Sequence, residues 1–172
     1  TSAVGLKRFK REVQITSQLT HPNTIAIYDY GSTPDGTFYY AMEYLEGISL
    51  EELVVIDGAQ PARRVVHILR QACGALAEAH AVGLIHRDVK PANLMLTYRG
   101  LLYDFVKVLD FGLVKKTEGT DAGVTNVDAV VGTPLYLSPE AIKSEDKLDN
   151  RSDLYSLGCV AYFLLTGTDV FM

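Results

Sequence analysis

His86-Arg87-Asp88-Val89-Lys90-Pro91-Ala92-Asn93 is the stretch that decides how the rest of this chain is read. It sets a carboxylate, an ammonium and a side-chain amide close together, and a second carboxylate follows in Asp110-Phe111-Gly112. Aspartate and asparagine oxygens are hard donors of the kind that hold Mg²⁺, and they need no cysteine or histidine cluster. Either tripeptide alone, His-Arg-Asp or Asp-Phe-Gly, arises by chance often enough to carry little weight, and a lone His86 between apolar residues ordinarily packs in a core. The weight lies in the order. Asp88, Lys90, Asn93 and Asp110 are followed by Gly132-Thr133-Pro134, Ser138-Pro139-Glu140 and Asp153.

In that order and spacing the residues resemble the catalytic and metal-binding loops of a eukaryotic-type (Hanks-type) protein serine/threonine kinase, with wording close to the bacterial members. The resemblance implies transfer of the ATP γ-phosphate to serine or threonine hydroxyls of protein substrates, with Mg²⁺, or Mn²⁺ in its place. Asp88 would orient the proton of the attacking hydroxyl, and Lys90 would aim a positive charge at the transferring phosphate. Asn93 and Asp110 would hold the metal. His86 and Phe111 would be structural, and Asp153 would hold the backbone of the catalytic loop. The fold implied is α+β: a kinase-like two-lobe architecture, truncated at both ends. Residues 1–42 would be the remainder of the small lobe, 43–48 the hinge, and 49–172 a truncated large lobe.

Composition agrees with a folded domain. The chain has 172 residues, 48% of them hydrophobic, enough to bury a core. A net charge of −5 argues against a nucleic-acid surface, which needs a basic stripe; only Lys7, Arg8, Lys10 and Arg11 form a small basic cluster. Cys73 and Cys159 fall in apolar helical patterns and read as small core residues in a reducing compartment, not as a disulfide. The longest apolar run, Leu157 to Leu165, is too short to span a bilayer, and the N-terminus lacks a signal-peptide pattern. A soluble, cytoplasmic chain is expected, with any membrane anchor lying outside it.

Apolar residues at Phe9, Val13 and Leu19 predict an amphipathic helix from Leu6, ended by His21-Pro22-Asn23. By resemblance it is the regulatory C-helix, and Glu12 would pair with an ATP-positioning lysine. Thr24 to Tyr30 and Thr37 to Tyr44 read as antiparallel strands. The second leads into Met42-Glu43-Tyr44-Leu45, which resembles gatekeeper and hinge: Met42 would limit the nucleotide pocket, and the backbone at Glu43 and Leu45 would bond adenine. Ser49 starts a short helix. Pro61 opens a long one to about His80, with Val65, Ile68, Leu69, Ala72, Leu76 and Ala79 as its buried stripe and Gly83 as its stop. His67 and His80 read as packing or surface residues. Leu94 to Leu96 and Phe105 to Leu109 predict a hairpin with an extended loop from Tyr98 to Asp104, and Met95 would floor the adenine site.

The segment Leu113 to Gly132, rich in Gly, Thr, Asp and Lys, reads as a loop, by resemblance the activation segment. Thr125 would be its phosphorylation site and Arg87 the guanidinium that holds the phosphate. Autophosphorylation would need contact between two kinase copies. Gly132 to Tyr136 would form the shelf for the residue after the phosphoacceptor, and Thr133 with Lys90 favours serine/threonine over tyrosine. Ser152 to Thr166 is apolar on nearly every face, which predicts a buried helix ended by Gly167.

The sequence departs from the family at its ends. It carries no Gly-x-Gly-x-x-Gly and no Val-Ala-x-Lys ahead of Glu12. The late arginine that usually pairs with the Glu140 position is also missing, so Glu12 and Glu140 are expected as buried, unpaired carboxylates. These 172 residues alone are expected to be inactive or nearly so. A non-catalytic, kinase-like binding or scaffold module is the alternative. A small-molecule phosphotransferase shares the Asp and Asn chemistry, but Thr133, Ser138-Pro139-Glu140 and the long segment before them argue against it.

Overall fold

The computed structural model describes residues 13–35, 37–111, 134–143 and 148–171. Glu12, Thr125, Thr133 and the segment from Leu113 to Gly132 lie outside the described residues. Within them the chain is α+β, built as a two-stranded sheet and a three-stranded sheet carried on helices.

Residues 13–16 are helical, the described part of the expected amphipathic helix, and Val13 is fully buried. Strands β1 (Ile27–Ser32) and β2 (Phe38–Met42) pair antiparallel, with Tyr30 opposite Tyr40. The first strand starts later than its composition suggests because Thr24 and Ile25 are taken elsewhere. Ile25 N–H donates to Val108 O at 3.0 Å and Val108 N–H to Asn23 O at 2.8 Å, which stitches this segment to the last strand of the other sheet.

That sheet runs β3 (Gly47–Ser49), β4 (Leu94–Arg99), β5 (Leu102–Val108). Helix α1 (Leu50–Asp57) starts where the sequence places it. Ser49 Oγ accepts from Glu52 N–H at 3.1 Å, and the Glu52 carboxylate accepts from Ser49 N–H at 2.7 Å, a reciprocal cap. Helix α2 (Ala62–Ala81) buries Val65, Ile68, Ala72, Ala75, Leu76 and Ala79, one face at helical spacing, and Gly83 takes φ 77° just beyond it. Cys73 lies off that face and is exposed, which corrects its reading as a core residue; Cys159 is buried.

The β4–β5 hairpin also differs from expectation. Both strands run through the supposed loop and turn tightly at Gly100 (φ 60°) and Leu101. Side-chain anchors order the added length: Tyr98 Oη donates to Glu46 Oε2 at 2.5 Å, and Arg64 grips the Asp104 carboxylate with two bonds of 2.8 and 2.7 Å. Leu94, Leu96, Val106 and Val108 are buried in one core cluster that also holds the buried face of α2, Phe111, Leu157, Val160 and Leu164.

A 3₁₀ turn (Pro134–Tyr136), a short α3 (Pro139–Lys143) and α4 (Arg151–Thr166) follow, and Gly167 closes α4 at φ 75°. Helix α4 is not buried all round. It buries Asp153, Ser156, Leu157, Cys159, Val160 and Leu164 against α2 and the 3₁₀ turn, while Leu154, Tyr162 and Leu165 stay about half exposed.

Two polar latches fix the first segment on α2. The Glu78 carboxylate accepts from Thr20 N–H at 3.0 Å, Thr20 Oγ1 at 2.9 Å and His21 N–H at 2.9 Å. Gln71 Oε1 accepts from Asn23 Nδ2 at 3.0 Å and Val106 N–H at 3.1 Å.

Candidate active site

The stretch 86–93 lies between α2 and β4, and its shape follows from one buried carboxylate. Asp153, 1% exposed near the start of α4, accepts His86 N–H through Oδ2 and Arg87 N–H through Oδ1, both at 2.9 Å. Two backbone donors that would otherwise be stranded in the core are thereby satisfied. His80, at the end of α2, donates Nε2–H to the same Oδ2 at 2.6 Å. The sequence reading gave His80 no such part.

His86 is fully buried. Its Nε2–H donates to Leu109 O at 2.7 Å and its Nδ1 accepts Asp88 N–H at 3.3 Å, so both ring nitrogens are paired in the neutral tautomer. Burial pushes its pKa down, against the pull of Asp153 and the Leu109 carbonyl. Phe111, also fully buried, packs on the imidazole with ring centroids 4.7 Å apart. His86 thus joins the two loops from below.

Above this floor the polar side chains converge. Asp88 Oδ2 accepts from Lys90 Nζ and from Asn93 Nδ2, each at 2.8 Å, and Asn93 Nδ2 also donates to Asp88 O at 2.8 Å. The Asn93 nitrogen is consumed on Asp88, which leaves its Oδ1 as the group it can offer a cation. Leu109 N–H donates to Asn93 O at 2.9 Å, fastening the loop that carries Asp110 beside Asn93. Asp110 and Arg87 hold left-handed backbones, φ 55° and 66°, uncommon for residues with a side chain. Tyr40 of β2 donates its hydroxyl to Asp110 Oδ1 at 3.3 Å, and its phenol pKa is raised by burial and by the Asp110 charge.

The donor set fits a hard divalent cation. It consists of one carboxylate and one amide oxygen on two fastened loops, and among the described residues no cluster of three His, Cys, Asp or Glu side chains forms a metal cage. Mg²⁺ is commonly held by one or two protein ligands plus substrate phosphates.

Two residues beyond Tyr40, Met42 ends β2 and is 44% exposed. Glu43 N–H donates to Ala26 O at 2.9 Å, which leaves only the carbonyl of that peptide position for a purine. Its carboxylate accepts from Lys107 Nζ at 2.5 Å and Ala26 N–H at 2.8 Å, fixing the strand exit. Leu45 follows in the extended connection to β3 and is half-buried. Strand alternation buries Leu94 and Leu96 and turns the half-buried Met95 to the opposite face. Glu140 departs from expectation: it is exposed in the first turn of α3 and accepts Ser152 Oγ at 3.1 Å. Its own backbone N–H, with the Ser138 and Ser152 hydroxyls, holds its carboxyl below the ordinary range, and its exposure means that it is not the buried, unpaired charge expected.

The sequence matches the protein kinase domain family over residues 2–172. It is 46% identical to the serine/threonine-protein kinase pkn3 of Myxococcus xanthus over 162 residues, which cover 93% of this chain and 29% of that protein. It is also 46% identical to PknB of Mycolicibacterium smegmatis over 168 residues, 96% of this chain and 26% of that one. The chain therefore spans little more than a quarter of these curated relatives. The PknI kinase domain of Mycobacterium tuberculosis superposes with a TM-score of 0.77 at 29% identity, covering 98% of this chain and 60% of that one. Rad53 1-466, solved in complex with AMP-PNP, gives a TM-score of 0.77 at 28% identity over 96% of this chain and 39% of its own. With the family matched along nearly its whole length and the fold shared with solved kinase domains, the chain belongs to the protein kinase domain family.

Proposed function

We propose that this chain is part of a serine/threonine protein kinase domain that transfers the γ-phosphate of ATP to hydroxyls of protein substrates. The observation that carries this reading is the shared grip on Asp88: Lys90 and Asn93 both bond its Oδ2 at 2.8 Å, and Asn93 is fastened to Leu109, beside Asp110. Asp88 acts as the acceptor that orients the attacking hydroxyl, its second oxygen having no bond among the described residues. Lys90 moves its ammonium from Asp88 toward the transferring phosphate as charge develops there. Asn93 and Asp110 would hold a divalent ion, Mg²⁺ or Mn²⁺, which when bound would supply charge neutralisation at the ATP phosphates.

Protein kinases use ATP and a divalent metal, and here Met42, the Glu43 carbonyl, Leu45 and Met95 are read as the adenine site. Residues 1–42 then belong to the small lobe, 43–48 to the hinge and 49–172 to the large lobe. Arg87 beside Asp88 is read as the partner of a phosphate on Thr125, placed there by contact between two kinase copies, and Thr133 as a determinant of serine/threonine preference. Glu12 is read as the partner of the ATP-positioning lysine. No described helix is long and apolar enough to cross a membrane, and the reading sets the domain on the cytoplasmic, ATP-containing side. The scaffold alternative is not favoured, since none of Asp88, Lys90, Asn93 and Asp110 is replaced.

The test is phosphate transfer from [γ-³²P]ATP to the native gene product itself and to a basic protein substrate, with Asp88→Asn as the control. Transfer that Asp88→Asn reduces by about a thousandfold or more supports the reading. Transfer that survives the substitution undiminished overturns it.

A further inference from the structure

The Asp110 carboxylate has one bond among the described residues, and it comes from the other sheet. Tyr40 stands on β2, two positions before Met42, so strand alternation turns both side chains to the same face. Its neighbour Tyr39 points the other way, over Gly31 and toward Asp29. Tyr40 is half-buried, and its hydroxyl donates to Asp110 Oδ1 at 3.3 Å across 70 residues of sequence. On the proposed reading of Asp110 as a metal-holding carboxylate, this hydroxyl stands where an outer-shell partner stands: it satisfies one oxygen and leaves Oδ2 for the cation.

We infer that Tyr40 is a positioning residue for the divalent cation, its hydroxyl orienting the Asp110 carboxylate so that Oδ2 is presented to the metal. The inference rests on the metal role proposed for Asp110. A carboxylate on a short loop can rotate freely about its last bond, and a single neutral donor on one oxygen removes that freedom without adding charge. Outer-shell partners of this kind typically contribute about 10- to 100-fold to metal affinity. The bond is long for a phenol and a carboxylate, as such bonds often are before the ligand arrives. Tyr40 also sits in the two-stranded unit, whereas Asn93 and Asp110 sit on the other; cation affinity is thereby made to depend on how the two units are set against each other.

The experiment is Mn²⁺ binding to the native gene product, read from the free-ion electron paramagnetic resonance signal in the presence of a non-hydrolysable ATP analogue. Adenosine affinity is measured alongside by calorimetry without metal. Tyr40→Phe is expected to weaken Mn²⁺ binding about tenfold or more while adenosine affinity stays the same, and Tyr40→Met, which also lacks the hydroxyl, is expected to do likewise. Mn²⁺ affinity within about twofold of wild type in Tyr40→Phe overturns the inference, as does an equal loss of Mn²⁺ and adenosine, which marks a merely structural residue. Asp110→Asn separates the two levels. If it too leaves Mn²⁺ binding intact, the metal role of Asp110 fails and the inference falls with it; if it abolishes binding while Tyr40→Phe does not, only the inference falls.

Discussion

At the scale of single residues, Asp153 and His86 carry the geometry. Asp153 serves three donors with two oxygens: the His86 and Arg87 amides and the His80 ring. An asparagine offers only one acceptor there, so Asp153→Asn strands at least one buried donor and is expected to cost about 1–3 kcal/mol, with Asp153→Ala costing more. Urea unfolding measures both, and equal stability of wild type and Asp153→Asn would contradict the role. His86 gives a pH dependence with a definite sign. Burial lowers its folded pKa, whereas in the unfolded chain imidazole titrates near about 6.5. The unfolded state therefore binds a proton that the fold resists, so this contribution is intact above about pH 6.5 and is lost as pH falls toward the folded value. The urea midpoint is expected to drop between about pH 7.5 and 5.5, and to drop less in His86→Gln. Parallel slopes in the two proteins would assign the effect to other groups.

At the scale of elements, what was legible was what local chemistry decides. Ser49, Pro61, Gly83 and Gly167 mark helix ends through starts and left-handed stops, and the helices begin or end beside them; the reciprocal bond between Glu52 and Ser49 was not read. The Ser49→Ala change removes the acceptor for Glu52 N–H and is expected to cost about 1 kcal/mol, measurable by thermal or urea unfolding. An unchanged midpoint would mean that the cap contributes nothing to the whole. The strands were harder. Thr24 and Ile25 look like the start of β1 but pair with β5, and nothing within that segment announces its distant partner. Tyr98 to Asp104 looks like a loop because of its glycine and charged residues. It is strand because Glu46 and Arg64, far away in sequence, hold it. Gly47 has a similar non-local cause: a Cβ there would stand 2.1 Å from the Leu96 carbonyl oxygen, so only glycine lets β3 approach β4.

For the whole molecule, the site was legible where its residues are sequence neighbours and hidden where they are not. Asp88, Lys90 and Asn93 announce themselves within one loop, whereas His80 meets Asp153 across 73 residues and Tyr40 meets Asp110 across 70. The pattern of α4, apolar on nearly every face, predicted a buried helix, but one of its faces is about half exposed. Leu154, Tyr162 and Leu165, with Ile142 and Phe171 nearby in the sequence order, remain exposed. A polypeptide of these 172 residues is expected to self-associate, and Leu154→Lys with Leu165→Lys to reduce that, as read by light scattering at rising concentration. A monodisperse wild-type polypeptide would sink this expectation. A different consequence follows from the left-handed backbones of Arg87 and Asp110. A glycine at either position would relax on the order of 1 kcal/mol of steric strain. The glycine would also enlarge the freedom of the unfolded chain by a comparable free energy and, at Asp110, lose the bond to Tyr40, so neither exchange is expected to raise the melting temperature by more than about a degree or two.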